Sequence, residues 1–254
     1  MRLFSLSTAL VSIALAALVA LGPVAGRAED KPLSDQQQEA VKKIVHDYLV
    51  EHPEAIIEAV GAYREKQRMA AQDAAKKALI SHREELNNDP NSQVFGNPKG
   101  DVTVVEFFDY HCPYCKAMVD TLQGIVNADG NVRLVMKELP ILGADSVFAA
   151  RAAIAARNQN LYADFHKALM HLKAPLNEDS VMQTAASVGL DVKRLKKDMD
   201  DSKVLAVINA NVELARTLEI DGTPGWVIGD QSSSGAMSAE AFRQLIDTAR
   251  KAKS

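Results

Sequence analysis

The chain's two cysteines stand together as Cys112-Pro113-Tyr114-Cys115, at the point where a strand pattern hands over to a helix pattern. The preceding run Val102-Thr103-Val104-Val105-Glu106-Phe107-Phe108 is rich in β-branched and aromatic residues and reads as a buried strand. Asp109-Tyr110-His111 then turns the backbone, which places Cys112 at a helix N-terminus. There the unpaired N–H groups and the positive end of the helix dipole favour a thiolate, so the Cys112 thiol is expected below its usual pKa of about 8.5 and is the candidate nucleophile. Cys115, three residues on, can close a small ring and is the candidate resolving thiol.

A lone C-x-x-C is shared by redox pairs, by halves of zinc sites and by chance spacings. Two cysteines exclude a four-cysteine zinc site, while a mixed site using His111 and a distant histidine stays open. A helix-borne pair directly after an apolar strand favours redox chemistry over a metal site or inert thiols. A purely structural disulfide here would close too short a loop to constrain the unfolded chain much. No organic cofactor or resident metal is expected, although reduced Cys112 and Cys115, as soft ligands beside His111, leave Cu(I) binding open.

Residues 1–28 read as a secretory signal: Arg2 supplies positive charge, Ala9 to Leu21 is apolar, and Gly26-Arg27-Ala28 surrounds a candidate cleavage site. The apolar stretch is short for a membrane span, and an uncleaved anchor is the alternative. Export implies an oxidising compartment, the periplasm or outside, with no further cysteine to be scrambled there. Cleavage leaves about 226 residues, the length of one large domain or of one ordinary domain with an appendage. A formal net charge of −4, and no Lys/Arg run interleaved with aromatics, give no reason to expect a nucleic-acid partner. The 47% hydrophobic content is enough for a core.

Residues 29–92 form an N-terminal helical segment in this reading. Ser34 and Gln37 make a capping box, and Val41, Ile44, Val45, Tyr48 and Leu49 recur on one helical face. His52-Pro53 breaks that helix, and Pro53 is suited to open the next. Ile56, Ile57, Val60 and Tyr63 continue an apolar stripe before the sequence becomes charged as far as Glu85. As one helix from Pro53, this segment would extend on the order of 50 Å. Two readings compete: a solvated leader, or apolar faces that pack on copies of themselves, making residues 33–88 a homo-oligomerisation stalk. The exposed faces favour the second. Asn87-Asn88-Asp89-Pro90-Asn91-Ser92 is the expected boundary.

Residues 93–254 form the second domain. Phe95 to Asp101 leads into the strand before the cysteines, and the helix after them is expected to end near Asn127. Asn131 to Lys137 reads as a second buried strand, and strand–helix–strand implies parallel pairing. A helical insert, about 144–218, follows. Within it His166 and His171 lie five apart, a poor spacing for one helix face, and read as packing or surface histidines rather than ligands. Ile220 to Gly229 carries turn residues, Pro224 and a short strand. Ser232 to Ala236 is a candidate edge strand, and Ser238 to Lys251 a final helix capped by Ser238.

Together these pieces resemble the DsbA-like branch of the thioredoxin superfamily, on Val105-Glu106-Phe107-Phe108 before the cysteines, Glu138 to Gly143 after the second strand, the helical insert, and Gly222-Thr223-Pro224. The resemblance implies an α/β thioredoxin fold with a helical insertion, preceded here by an α-helical segment similar to that of ScsC-like proteins. It implies an exported thiol-disulfide oxidoreductase acting on secreted proteins and reset by a membrane redox partner. Pro224 would be the cis-proline beside the cysteines, Thr223 would offer backbone to a substrate peptide, and Pro113 and Tyr114 would border it. Glu106 would be the buried acid that tunes proton transfer; a solvent-facing carboxylate is its plainer reading. Thr223 before the proline is closer to isomerase-like members than to the strong oxidase, which carries valine there. Pro-Tyr in place of Pro-His between the cysteines implies a less extreme redox potential. Isomerase or reductase is thus the expectation, with a dithiol oxidase and a Cu(I)-binding copper-tolerance protein as alternatives.

Overall fold

The protein is described by a computed structural model covering residues 32–252. The expected signal segment, 1–28, lies outside the described residues. The chain divides into two units, one up to Tyr63 and one from Arg64 onward.

The first unit holds α1 (Asp35–Glu51) and the start of α2 (Pro53–Ser81). Ser34 caps α1 as a capping box: its side chain accepts from Gln37 N–H, and the Gln37 side chain accepts from Ser34 N–H at 2.9 Å. His52 ends α1 and Pro53 opens α2, where its missing N–H costs no hydrogen bond. No residue of α1 is buried, and Val41, Ile44, Val45, Tyr48, Ile56, Ile57, Val60 and Tyr63 are all exposed.

In the second unit α2 ends at Ser81, and a short α3 (Arg83–Asn87) follows, which corrects the expectation of one unbroken helix to Glu85. The interruption falls at His82, whose backbone leaves helical geometry at φ −100° and ψ 16° while its N–H still meets the Ala78 carbonyl at 3.0 Å. Leu79 and Leu86 are both buried in the core with Val105, Phe107 and Val135 of the sheet.

Five strands form one sheet in the order β1-β3-β2-β4-β5: β1 (Gln93–Gly96), β2 (Val102–Phe108), β3 (Val132–Glu138), β4 (Gly225–Ile228) and β5 (Gln231–Ser234). β2 runs parallel to β3, with Glu106 opposite Met136, and antiparallel to β4, with Glu106 opposite Trp226. The parallel step is made through α4 (Pro113–Asp129), which Gly130 stops in the left-handed region at φ 71°. β1 pairs antiparallel with β3 where the sequence pattern suggested only an approach to the strand. α10 (Ala239–Lys251) packs on α4, β2 and β4, and Trp226 meets Phe242 edge-on at 5.0 Å.

The insert is five helices: α5 (Ala144–Ala156), α6 (Tyr162–Met170), α7 (Glu178–Ser187), α8 (Val192–Met199) and α9 (Ser202–Thr217). α5 touches α6, α7, α8 and α9, and its buried side includes six alanines, Ala149, Ala150, Ala152, Ala153, Ala155 and Ala156. Small side chains let four helices approach one. α9 lies on the sheet face that carries Val105 and Phe107, through Leu214, Ala215 and Leu218.

One charge is taken deep into this face. Lys137, its side chain 2% exposed, donates from Nζ to Asp89 Oδ2 at 2.7 Å, and Asp89 also accepts from Asn91 N–H and Ser92 Oγ. Breaking a buried pair from one side strands the other charge. Asp89→Ala is therefore expected to destabilise the protein by about 3 kcal/mol in urea unfolding, and Lys137→Met to destabilise it by less, because the Asp89 side chain it leaves is 20% exposed and keeps the Asn91 N–H and the Ser92 hydroxyl as donors.

Candidate active site

β2 is paired on both sides, so its side chains must point into one core or the other. Val102, Val104, Glu106 and Phe108 alternate toward the face covered by α4, and all but Glu106 are apolar. After Phe108 the chain turns, and Cys112 N–H is accepted by the Asp109 carbonyl at 3.0 Å. Cys112 is the N-cap residue of α4 with Pro113 in the first turn, as expected. The cysteines are free thiols, 3% and 1% exposed, whereas Tyr114 between them is 62% exposed.

The Thr223–Pro224 bond is cis, and the Cys112 thiol donates to the Thr223 carbonyl at 3.1 Å. The loop from β4 thus reaches the first cysteine through backbone. Gly225 follows because a Cβ there would overlap the Ile220 side chain. Of the residues singled out in the sequence, Cys112, Cys115, Pro113, Tyr114 and Thr223-Pro224 come together at this end of the sheet, with Glu106 beneath. Glu106 is 3% exposed, so the solvent-facing reading of it does not hold.

No protein side chain or backbone group hydrogen-bonds the Glu106 carboxyl among the described residues; it lines a cavity of about 370 Å³ with Asp120, Asn127, His166 and His171. Burial raises its pKa to about 8. The Cys115 thiol is pushed far above its ordinary range, first by burial and then by the charge of Glu106. The buried thiol and the buried acid therefore disfavour each other's ionisation. A larger cavity, about 660 Å³, lies by Lys137, Asp89 and α9 and contains neither cysteine.

Beside the turn is a polar cluster that local pattern did not reveal. Glu138, at the end of β3, accepts from Tyr162 Oη at 2.8 Å and Tyr110 Oη at 3.2 Å, and Tyr110 Oη lies 3.0 Å from His166 Nδ1. Burial holds the Glu138 carboxyl well above the usual range and drives the His166 imidazole down to about 3, so His166 is a neutral packing histidine. His171 is exposed and meets Asp120 at 3.0 Å. The available signal was a charge at the end of an apolar strand and Tyr162, His166 and Leu169 on one face of α6.

Residues 103–247 match the DSBA-like thioredoxin domain family. The chain belongs to that family. Residues 37–70 match the N-terminal domain of the copper resistance protein ScsC. A thioredoxin-like oxidoreductase from Silicibacter pomeroyi is 50% identical, with a TM-score of 0.65, covering 66% of this chain and 98% of that one. A linker-deletion mutant of Proteus mirabilis ScsC is 29% identical, with a TM-score of 0.65, covering 89% of this chain and all of that one. The thiol:disulfide interchange protein DsbA of Burkholderia cepacia is 27% identical over 147 residues, 54% of this chain and 68% of that protein. The chain also matches sodium/proton antiporters named NhaA, of which it spans about a quarter of the length. Among the described residues no helix is long and apolar enough to cross a membrane. DSBA-like thioredoxin-fold proteins are thiol-disulfide oxidoreductases.

The raised pKa of Glu106 has a stability consequence with a definite sign. Between about pH 4.5, its ordinary value, and about pH 8, the folded chain keeps a proton that the unfolded chain has released, so stability falls as pH rises through that window. Glu106→Gln removes the ionisation. The reduced variant is expected to be more stable than wild type at pH 9, by on the order of 4 kcal/mol in urea unfolding, with the gap closing near pH 4. A gap of equal size at both pH values would contradict this.

Proposed function

We propose that the chain is an exported thiol-disulfide exchange enzyme acting on disulfides of secreted proteins, as an isomerase or reductase. The observation that carries this reading is the Cys112 thiol at the N-cap of α4, against the Thr223 carbonyl, with Cys115 buried over Glu106. The Cys112 thiolate attacks one sulfur of a substrate disulfide, forming a mixed disulfide and releasing the other substrate sulfur as a thiolate, which takes up a proton. If a second substrate thiolate attacks the substrate sulfur of the mixed disulfide, Cys112 is released and the substrate has been isomerised. If the Cys115 thiolate attacks Cys112 Sγ instead, the substrate leaves reduced and the enzyme holds Cys112–Cys115. Glu106 accepts the Cys115 proton in that step. Tyr114, Pro113 and the Thr223-Pro224 backbone border the substrate chain. A membrane redox partner returns the pair to its working state, as DSBA-like proteins are reset, and the periplasm is the compartment that suits this chemistry.

Two features support isomerisation or reduction over oxidation. Thr223 precedes the cis-proline, as in isomerase-like members, and a tyrosine stands where the strong oxidase has a thiolate-stabilising histidine. The exposed apolar faces of α1 and α2, in a segment that matches the ScsC N-terminal domain, support association of several copies through residues 33–88. A copper-tolerance role is the second reading, favoured by that same match and by the paired thiols. Two thiolates suit Cu(I), and because the Cys115 proton must leave, affinity would rise with pH.

Refolding of scrambled ribonuclease beside oxidation of reduced ribonuclease tests the direction. Wild type is expected to speed the first more than the second, and Cys112→Ser to lose at least about 100-fold of the activity, since no other thiol can initiate exchange. Preference for the oxidation assay would turn the reading to a dithiol oxidase. Activity in neither assay, with stoichiometric Cu(I) binding by the reduced protein, would favour the binder. Light scattering of the protein after leader removal is expected to give an oligomer that Ile44→Glu weakens; a monomeric wild type would overturn the association.

A further inference from the structure

Lys116 follows Cys115 on α4, and its backbone N–H meets the Cys112 carbonyl at 3.2 Å, so it stands one helical turn beyond the first cysteine on the same side of the helix. Its half-buried side chain is fixed from outside that helix: Nζ donates to the Leu172 carbonyl at 3.2 Å, in the connection between α6 and α7. This bond draws the next residue, Lys173, alongside. Burial, and then the charge of Lys173, hold the Lys116 ammonium below its ordinary pKa. Lys173 is itself exposed. Two cations therefore lie in each other's field, one turn from the reacting cysteine.

No carboxylate of the chain answers them. Among the described residues Lys116 and Lys173 make no ion pair, and the Leu172 carbonyl is the one acceptor of the Lys116 ammonium, which leaves two of its three protons for another partner. Asp109, the acid nearest the cysteines in sequence, is 1% exposed and its oxygens are taken by backbone donors: Oδ1 by His111 N–H at 2.7 Å, Oδ2 by Ile141 and Leu142 N–H at 2.9 and 3.0 Å. Asp120, one turn beyond Lys116, pairs with His171 at 3.0 Å. Asp221 is exposed, on the separate loop that leads to Thr223. The chain as a whole carries a net charge of −4, so two unpaired cations beside the cysteines run against its average. Like charges in a partly desolvated place cost free energy that an anionic group on a bound molecule would offset.

The molecule that must pass here is the one whose sulfur reaches Cys112. An extended chain advances about 3.3 Å per residue, and residues one helical turn apart have Cβ atoms about 6 Å apart. A carboxylate two or three residues from the substrate's cysteine is thus within reach of these ammonium groups. We propose that Lys116 and Lys173 are specificity-determining residues that bind aspartate or glutamate side chains flanking the reacting cysteine of the substrate chain. This rests on the reading of Cys112 as a nucleophile toward protein disulfides.

Three disulfide-linked peptides of equal length test the proposal, with glutamate, glutamine or lysine flanking the cysteine, each kcat/KM divided by the rate at which dithiothreitol cleaves the same peptide. That division removes the effect of the flanking charge on the disulfide itself. Wild type is expected to prefer the glutamate peptide over the glutamine peptide by roughly tenfold at about 20 mM salt, and by much less at about 500 mM. Lys173→Gln should lower the preference roughly threefold, Lys116→Met with Lys173→Gln should abolish it, and Lys173→Glu should turn it toward the lysine peptide. A preference that survives the double variant overturns the proposal, as does a double variant that loses all three peptides by one factor. A wild type that exchanges the peptides without preference refutes this inference alone, whereas one that exchanges none refutes the nucleophile as well.

Discussion

A carboxyl group lies on the buried face of a strand that is hydrogen-bonded on both sides. Glu106 is held in register by Met136 on β3 and Trp226 on β4, and its neighbours on that face, Val104 and Phe108, are fully buried. It is 3% exposed and lines a cavity of about 370 Å³. Burial keeps it protonated well into the neutral range, and α4 places Cys115 within its field. A neutral acid beside a neutral thiol is the resting arrangement, and either group ionises at the other's expense.

The other cysteine is handled differently. Cys112 sits at a helix end with the Thr223 carbonyl as its partner, and the turn before it is braced twice: Asp109 holds the Ile141 and Leu142 amides, and Tyr110 reaches Glu138 and His166. The first runs to the connection between β3 and the helical insert, the second to the last residue of β3 and to α6. The insert therefore does more than add a layer, since α6 supplies Tyr162 and His166 to the cluster that anchors the cysteine turn. Four aromatic or imidazole rings, Phe108, Tyr110, Tyr162 and His166, pack there with centroids about 5–6 Å apart.

What was legible in the sequence was local. The hand-over from β2 to α4, the capping box at Ser34, Pro53 at a helix start and the parallel β2–α4–β3 step each depend on residues a few positions apart, and the structure has them where the pattern placed them. Glu106 and Thr223-Pro224 came from a family resemblance, not from spacing. β1 escaped because four residues with a glycine at the end carry no periodicity, and it exists only through its pairing with β3. The break at His82 is one residue wide, φ −100° and ψ 16°, in a charged helical run that carries no Gly or Pro to mark it. Asp109, Glu138, Tyr162 and His166 escaped for the same reason: their partners lie 24 to 56 residues away, and a residue's type says that it needs a partner but not which one.

The central claim is that Glu106 takes the Cys115 proton, and the step that depends on it most directly is the attack of Cys115 on a mixed disulfide at Cys112. A peptide trapped on Cys112, with its release followed from pH 5 to pH 10 in wild type and in Glu106→Gln, isolates that step. Release from wild type is predicted to rise through the pH at which Glu106 ionises, about 8, and to be slower and without that inflection in the variant. Superimposable pH profiles for the two proteins would contradict the account.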